Sequence, residues 1–377
     1  MKWSRLAIGI VAVISVITLH VGRWNNAPLH TDLTVIRGDG QGFYAWLPAV
    51  FIYHDLNFSY YEDTTQHIEG YFSPRFLNNH NGKTILKTPC GEAMMVAPFF
   101  LANLAIRSIT GKSSTGYEAS YQRVLGWAAL FYFLAGLWCM VYMLKRLGID
   151  DVWRAMVIIV TALGTNLWYY AIYHPSMTHV YSFFLVAFAC VLWIRWSDNR
   201  NRSSMLLLGI VLGLIYLVRP VNLMVVMAFP LFVNSTRKWW AGLPETFLLI
   251  NRNLGQLAIG VVMFVGVVGI QLVLNYMQCG DAFAWAYKNE GFDFLHPRLG
   301  SVWWNFNKGL FIYTPLVLVA LAGLACKPGF RSLWWISYFV LVSYVTSSWW
   351  NWNYGSGFGM RPFVDFYALL LLPLAFW

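Results

Sequence analysis

Apolar runs close to the ~20 residues that a helix needs to cross a bilayer recur from one end of this chain to the other, and few folds can be built from that pattern. The first extends from Leu6 to about Val21, and others lie near residues 121–144, 154–173, 178–195, 204–219, 220–235, 256–277, 310–326 and 332–349. A last run, Phe366 to Trp377, stops after twelve residues, so either the chain breaks off inside its final helix or that helix ends within a bundle. Composition agrees with membrane burial. With 58% hydrophobic, 18% aromatic and 11% charged residues, a chain of 377 residues has too little polar surface for a water-soluble globule. The expectation is an all-α membrane protein: one domain, residues 1–377, folded as a multispan helical bundle of about ten transmembrane helices.

Charge sets the orientation. Lys2 and Arg5 hold the first helix, residues 6–21, with its start in the cytoplasm. The clusters Lys145/Arg146/Arg154, Arg195/Arg200/Arg202, Arg237/Lys238/Arg252 and Lys327/Arg331 then fall on every second connection, all on the N-terminal side. This placement accounts for the net charge of +10 without a basic stripe, so no nucleic-acid partner is expected. The first run resembles a signal peptide but lacks a small-x-small cleavage site, and reads as an uncleaved anchor. Ala93 to Ile109 is also apolar, yet counting it as a crossing would put those four basic clusters outside. It is therefore expected to be a re-entrant or interfacial helix within one long outer loop, residues 22–120, ahead of the remaining bundle, 121–377. Cys90, Cys139, Cys190, Cys279 and Cys326 show neither metal-ligand nor redox spacing.

On this topology five distant segments bring polar residues to the outer face, where ionisable groups near lipid mark a functional site by default. Arg37-Gly38-Asp39-Gly40 comes first, with glycines on both sides of a carboxylate that is a candidate base and equally a candidate helix cap. An aromatic helix, Phe43 to Tyr53, follows and is expected to lie in the interface. His174 and His179 are further polar candidates; the two histidines, five apart across a helix break, suit hydrogen bonding better than metal ligation. Arg219, just before Pro220, either snorkels to the headgroups or turns inward to hold a phosphate with its two-pronged guanidinium. The stretch Ser348 to Pro362, overlapping an outer polar segment that runs from Asn351 to Asp365, joins Asn351 and aromatic rings, which suit a sugar face, to a glycine-rich turn whose amides and Arg361 suit a phosphate. Lys288, Glu290, Asp293, His296, Arg298 and Lys308 in the preceding outer loop are candidates for acceptor contacts.

The whole resembles the GT-C superfamily of membrane glycosyltransferases, which includes the protein O-mannosyltransferases and the lipid A aminoarabinose transferases. The resemblance rests on the first helix and long outer loop carrying an Asp, and on Lys87-Thr88-Pro89-Cys90-Gly91-Glu92, Leu217-Val218-Arg219-Pro220, Lys308 to Pro315 and Gly357-Phe358-Gly359-Met360-Arg361-Pro362. It implies a donor sugar on a polyprenyl phosphate, transferred outside the cytoplasm to a hydroxyl of a glycan, lipid or protein acceptor, with no cofactor. Asp39 matches the superfamily's catalytic acidic residue, a general base, and Arg219 and Arg361 would hold the departing lipid phosphate, with Lys87 sharing the task. The chain departs from the pattern near Thr178, where many members carry a second acidic residue and this one offers His179. A divalent metal therefore has no support in the sequence.

Two other classes fit the same layout. A transporter or flippase of lipid-linked sugar would need a similar cavity, but no internal repeat is visible. A non-catalytic subunit binding the lipid carrier would tolerate loss of Asp39. The bacterial inner membrane is the expected location, since the first helix resembles a bacterial signal anchor and no organelle address is present.

Overall fold

The computed structural model describes residues 1–24, 35–62, 73–233, 242–287 and 290–377. Arg237, Lys238 and Lys288 lie outside the described residues, as does part of the outer loop. Among the described residues the regular structure is helical apart from one hairpin. Five helices among the described residues are long and apolar enough to cross a membrane. They are α1 (Lys2–Ile17, continued to Val21), α3 (Gly91–Ile109), α4 (Ala119–Arg146), α7 (His179–Asn199) and α10 (Leu254–Cys279). Shorter pieces fill the rest: α2 (Gly40–Tyr44), α5 (Asp151–Leu163), α6 (Leu167–Ile172), α8 (Arg202–Val218), α9 (Gly242–Asn251), α11 (Leu316–Gly323) and α12 (Phe330–Ser347).

α7 is the central post. Its hydrophobic window is 78% buried, against 6% for α10, whose Leu254, Ile259, Val261, Val262, Val265, Ile270 and Val273 are exposed. α4 and α7 run side by side in the same direction, tied near their C-terminal ends by Arg146–Asp198 at 2.7 Å and packed through Tyr132 against Tyr181. α10 meets the bundle through α8, where Gly209 and Gly213 let the backbones close up: a Cβ on Gly209 would stand 2.8 Å from Gly260 Cα. That spacing of small residues is how helices gain contact in lipid, where the hydrophobic effect does not draw them together.

Four expectations change on contact with the structure. Residues 154–173 are not one helix, because Gly164-Thr165-Asn166 separates α5 from α6. Residues 310–326 break at Thr314, whose conformation is extended by the proline that follows it. Of the run 220–235, Pro220–Phe232 is a 3₁₀ segment rather than an α-helix, and residues 234–235 lie outside the described residues. Finally, Phe43 to Tyr53 is not one helix: α2 ends at Tyr44, and a turn at Trp46–Pro48 and a π segment, Ala49–Tyr53, follow, with one side packed into the protein. Tyr44, Ala45, Trp46, Leu47 and Ala49 are buried, with Trp46 Nε1 donating to Thr88 O (2.9 Å) and Tyr44 OH to Gly116 O (2.6 Å).

The hairpin, β1 (Leu77–His80) and β2 (Lys83–Leu86), turns through Asn81 and Gly82, both at positive φ, as a two-residue turn requires. α3 follows it and is tied by both ends to the same end of the bundle. Gly91 packs on the Leu217–Val218 backbone at the end of α8, and Arg107 bonds Glu118 (3.0 Å) and Ser120 (3.3 Å) at the start of α4. Residues 361–376, in short 3₁₀ and α pieces, descend beside α7, with Phe363 through Leu372 almost wholly buried.

Candidate functional site

The C-terminus of α8, the N-terminus of α7, the start of α2, the end of the hairpin and the turn before Arg361 meet at one end of the bundle around a cavity of about 390 Å³. That volume lies within the range of small-molecule sites. Asp39, Lys87, Arg219, Asn351 and Arg361 line it. Trp285, Tyr287, Phe292, Trp349, Trp350 and Tyr354 form an aromatic wall, and Val218, Pro220, Val221, Met224 and Phe366 an apolar one.

Asp39 occupies the N-cap position of α2 but makes no cap bond. Its carboxylate accepts instead from Arg361 Nη2 at 2.7 Å. Gly38, at φ +58°, turns the chain as a residue with a Cβ rarely does, and Gly40 rests directly on Ser176, with no room for a Cβ. Burial raises the Asp39 pKa, but the Arg361 charge and hydrogen bond, aided by Arg75 and His179, outweigh it and hold the carboxyl below its ordinary value. Asp39 is thus ionised at neutral pH and already partnered.

Arg219 owes its place to Pro220. The residue before a proline is pushed out of the helical region, so α8 ends at Val218 and Arg219 turns extended, at φ −156° and ψ 104°. Its Nε lies 3.3 Å from Asp365 Oδ2, and the side chain is 19% exposed. Lys87, at the end of the hairpin, pairs with Glu290 at 2.5 Å. The loop carrying Trp285, Tyr287 and Glu290 is also held to the hairpin by Asn78 Nδ2 donating to Ala286 O, at 2.5 Å, and by His80–Asp281 at 3.0 Å. Burial pushes the Tyr287 phenol up to about 12, so it faces the cavity as a neutral donor.

Other candidates fall outside the cavity wall. Arg37 donates to Tyr173 O at 3.0 Å and ties the Asp39 segment to the turn before α7. His174 stands near Gly38 with neither ring nitrogen partnered, and burial, then Arg37 and Arg361, lower its pKa to about 3, leaving it neutral. His179 is fully buried behind the wall. In the glycine-rich turn the amides of Gly355 and Phe358 are taken, donating to Asn353 Oδ1 and Tyr170 OH. Its carbonyls at Gly355 and Gly357 accept from Lys308 Nζ at 2.5 and 2.8 Å, so Lys308 anchors the turn and the turn places Arg361. Among the described residues no group of three His, Cys, Asp or Glu is arranged to hold a metal.

Sequence reasoning missed Asp365 as a site residue. It is fully buried, yet accepts from His179 Nδ1 at 2.7 Å and Asn222 Nδ2 at 2.8 Å and forms an ion pair with Arg219. The acidic partner that the start of α7 lacks in sequence is delivered there from a segment far along the chain. A carboxylate inside Phe363-Val364-Asp365-Phe366 is costly in lipid, and that cost was the available signal. The chain matches no protein-family model, and no curated protein matches it either.

Proposed function

We propose that this protein is a membrane glycosyltransferase, of the kind the GT-C resemblance implies, that moves a sugar from a polyprenyl-phosphate donor to an acceptor hydroxyl. The observation that carries the reading is the ionised Asp39 carboxylate bonded to Arg361, beside Arg219, on the wall of a cavity with a third of its lining aromatic. The resemblance motifs supply four of the five charged residues on that wall: Asp39, Lys87, Arg219 and Arg361.

The chemistry follows from these positions. The donor phosphate takes the guanidinium groups of Arg219 and Arg361, whose paired N–H donors match its oxygens. Arg361 then has less to give Asp39, whose carboxylate turns to the acceptor hydroxyl and accepts its proton as the oxygen attacks the anomeric carbon. The bond from that carbon to the phosphate oxygen breaks, and the lipid phosphate leaves with the electron pair, its growing charge met by the two arginines. The aromatic wall gives the sugar an apolar face to lie on, with Asn351 and Tyr287 as donors.

In this reading the bundle makes ten passes of the bacterial inner membrane, with the N-terminus cytoplasmic and the cavity on the periplasmic side. Both ends of α3 being tied to the cavity end supports its exclusion from the count. The test is transfer of radiolabelled sugar from a panel of polyprenyl-phosphate sugars by the purified protein in nanodiscs. Transfer to any acceptor hydroxyl supports the proposal. Donor binding without transfer across a broad acceptor set would favour a flippase or a binding subunit and overturn it.

A further inference from the structure

Asp365 presents a physical puzzle. A fully buried carboxylate is among the costliest groups a fold can hold, and an apolar residue of similar size usually serves stability as well or better. This one is matched by donors from three separate elements: His179 at the start of α7, Arg219 at the end of α8, and Asn222 in the first turn of the 3₁₀ segment. The histidine donates to it. At 2.7 Å from a carboxylate oxygen, Nδ1 carries a proton, since a bare nitrogen there would set lone pair against lone pair. The 3.4 Å approach of Arg219 Nη1 to the same Nδ1 is therefore packing, and among the described residues the carboxylate that ion-pairs with Arg219 is Asp365, facing its Nε at 3.3 Å. A guanidinium held by its Nε edge keeps terminal N–H groups for a second anion.

We infer that Asp365 is a positioning residue: it fixes the guanidinium of Arg219 at the cavity wall in the orientation that receives the donor phosphate. This rests on the proposed function. Arginine at a helix end otherwise swings toward the nearest headgroups, and a flexible arginine binds phosphate at the cost of ordering its own side chain. Asp365, with His179 and Asn222 satisfying its remaining lone pairs, removes that freedom before the ligand arrives.

The sign of one substitution separates positioning from simple charge. Asp365→Asn deletes a negative charge next to the phosphate site. If charge alone mattered, a polyprenyl monophosphate would bind more tightly; positioning makes it bind more weakly, by about tenfold or more, because the amide cannot satisfy the histidine and the arginine together. The experiment titrates polyprenyl monophosphate into wild type, Asp365→Asn, Arg219→Lys and the double variant in nanodiscs, followed by tryptophan fluorescence. The expected result is weaker binding by each single variant, with Arg219→Lys costing much less in the Asp365→Asn background. In transfer assays KM for donor rises and the pH profile stays that of wild type.

Equal or tighter binding by Asp365→Asn overturns this inference and leaves the proposed function standing. A wild type that does not bind the lipid phosphate at all overturns the proposed function itself. Asp365→Glu keeps the charge and moves the carboxylate by one methylene, so unchanged affinity there also contradicts positioning. Failure of both variants to fold would assign Asp365 to stability, which overturns the inference as well.

Discussion

Gly40→Ala is a one-carbon test of how the site is built. A Cβ at residue 40 would stand 2.5 Å from Ser176 Cβ and closer still to Ser176 Oγ and its carbonyl, where ordinary contact begins near 3.4 Å. Ser176 cannot yield easily. It is fully buried, its hydroxyl donates to Val35 O at 2.7 Å, and one of the clashing atoms is backbone. The start of α2 must therefore move away by roughly 1 Å, and Asp39 is the adjoining residue. Overpacking of this kind costs about 1–3 kcal/mol of stability. A shift of ~1 Å at a reacting group costs on the order of 10²-fold in rate. The assay is kcat for sugar transfer beside thermal unfolding in the same nanodiscs, with Gly269→Ala as control, since nothing stands within 4 Å of its Cβ. Arg219 and its phosphate contact are untouched, so kcat falls much further than donor affinity. A Gly40→Ala protein with wild-type kcat would refute the close docking of α2 on Ser176 or the role of Asp39.

Other expected outcomes follow from the same geometry. Because the Asp39 pKa is lowered in the folded protein, its pairing with Arg361 stabilises the native state above the unfolded carboxyl value, and that contribution is lost as pH falls through the folded value. Transfer should accordingly show no Asp39 titration between about pH 5 and 8; Arg361→Gln, which removes the charge and the bond, should move that titration upward, as a pH–rate series would reveal. Arg219→Lys keeps the charge and loses the two-pronged donor, so donor KM should rise by about tenfold; unchanged kinetics would exclude the phosphate role. Gly209→Ala forces α8 and α10 apart at Gly260 and should lower stability by about 1–3 kcal/mol while leaving kcat intact, measured by thermal unfolding.

The membrane character of the fold was legible because hydropathy is a property of the chain alone. The arginine at the end of α8 was legible for the same reason: Pro220 breaks that helix whatever surrounds it. The breaks at Gly164–Asn166 and Thr314 were harder. Asn166 turns out of the helix to donate to Phe358 O at 2.9 Å and to accept from Tyr367 OH at 2.7 Å, partners about 200 residues away in sequence. The hairpin was overlooked although Asn81-Gly82 is a strong turn signal, because its flanking strands are only four residues each. Among site residues, Asp39, Lys87, Arg219, Asn351 and Arg361 converge on the cavity from separate segments. Arg37, His174 and His179 share their polar chemistry but face the protein, and only tertiary packing makes that distinction. Asp365 was legible as the end of an outer polar segment but not as a site residue, because its partners come together only once α7, α8 and the 361–366 segment have met.

The most direct test of the central claim compares wild type with Asp39→Asn for transfer of radiolabelled sugar from polyprenyl-phosphate donors, alongside donor binding and thermal unfolding. The amide keeps the shape and an acceptor oxygen for Arg361 but cannot take the acceptor proton. Transfer by the wild type, lost by at least about 10²-fold in a folded, donor-binding Asp39→Asn protein, is the predicted result. Transfer undiminished in Asp39→Asn would contradict the account.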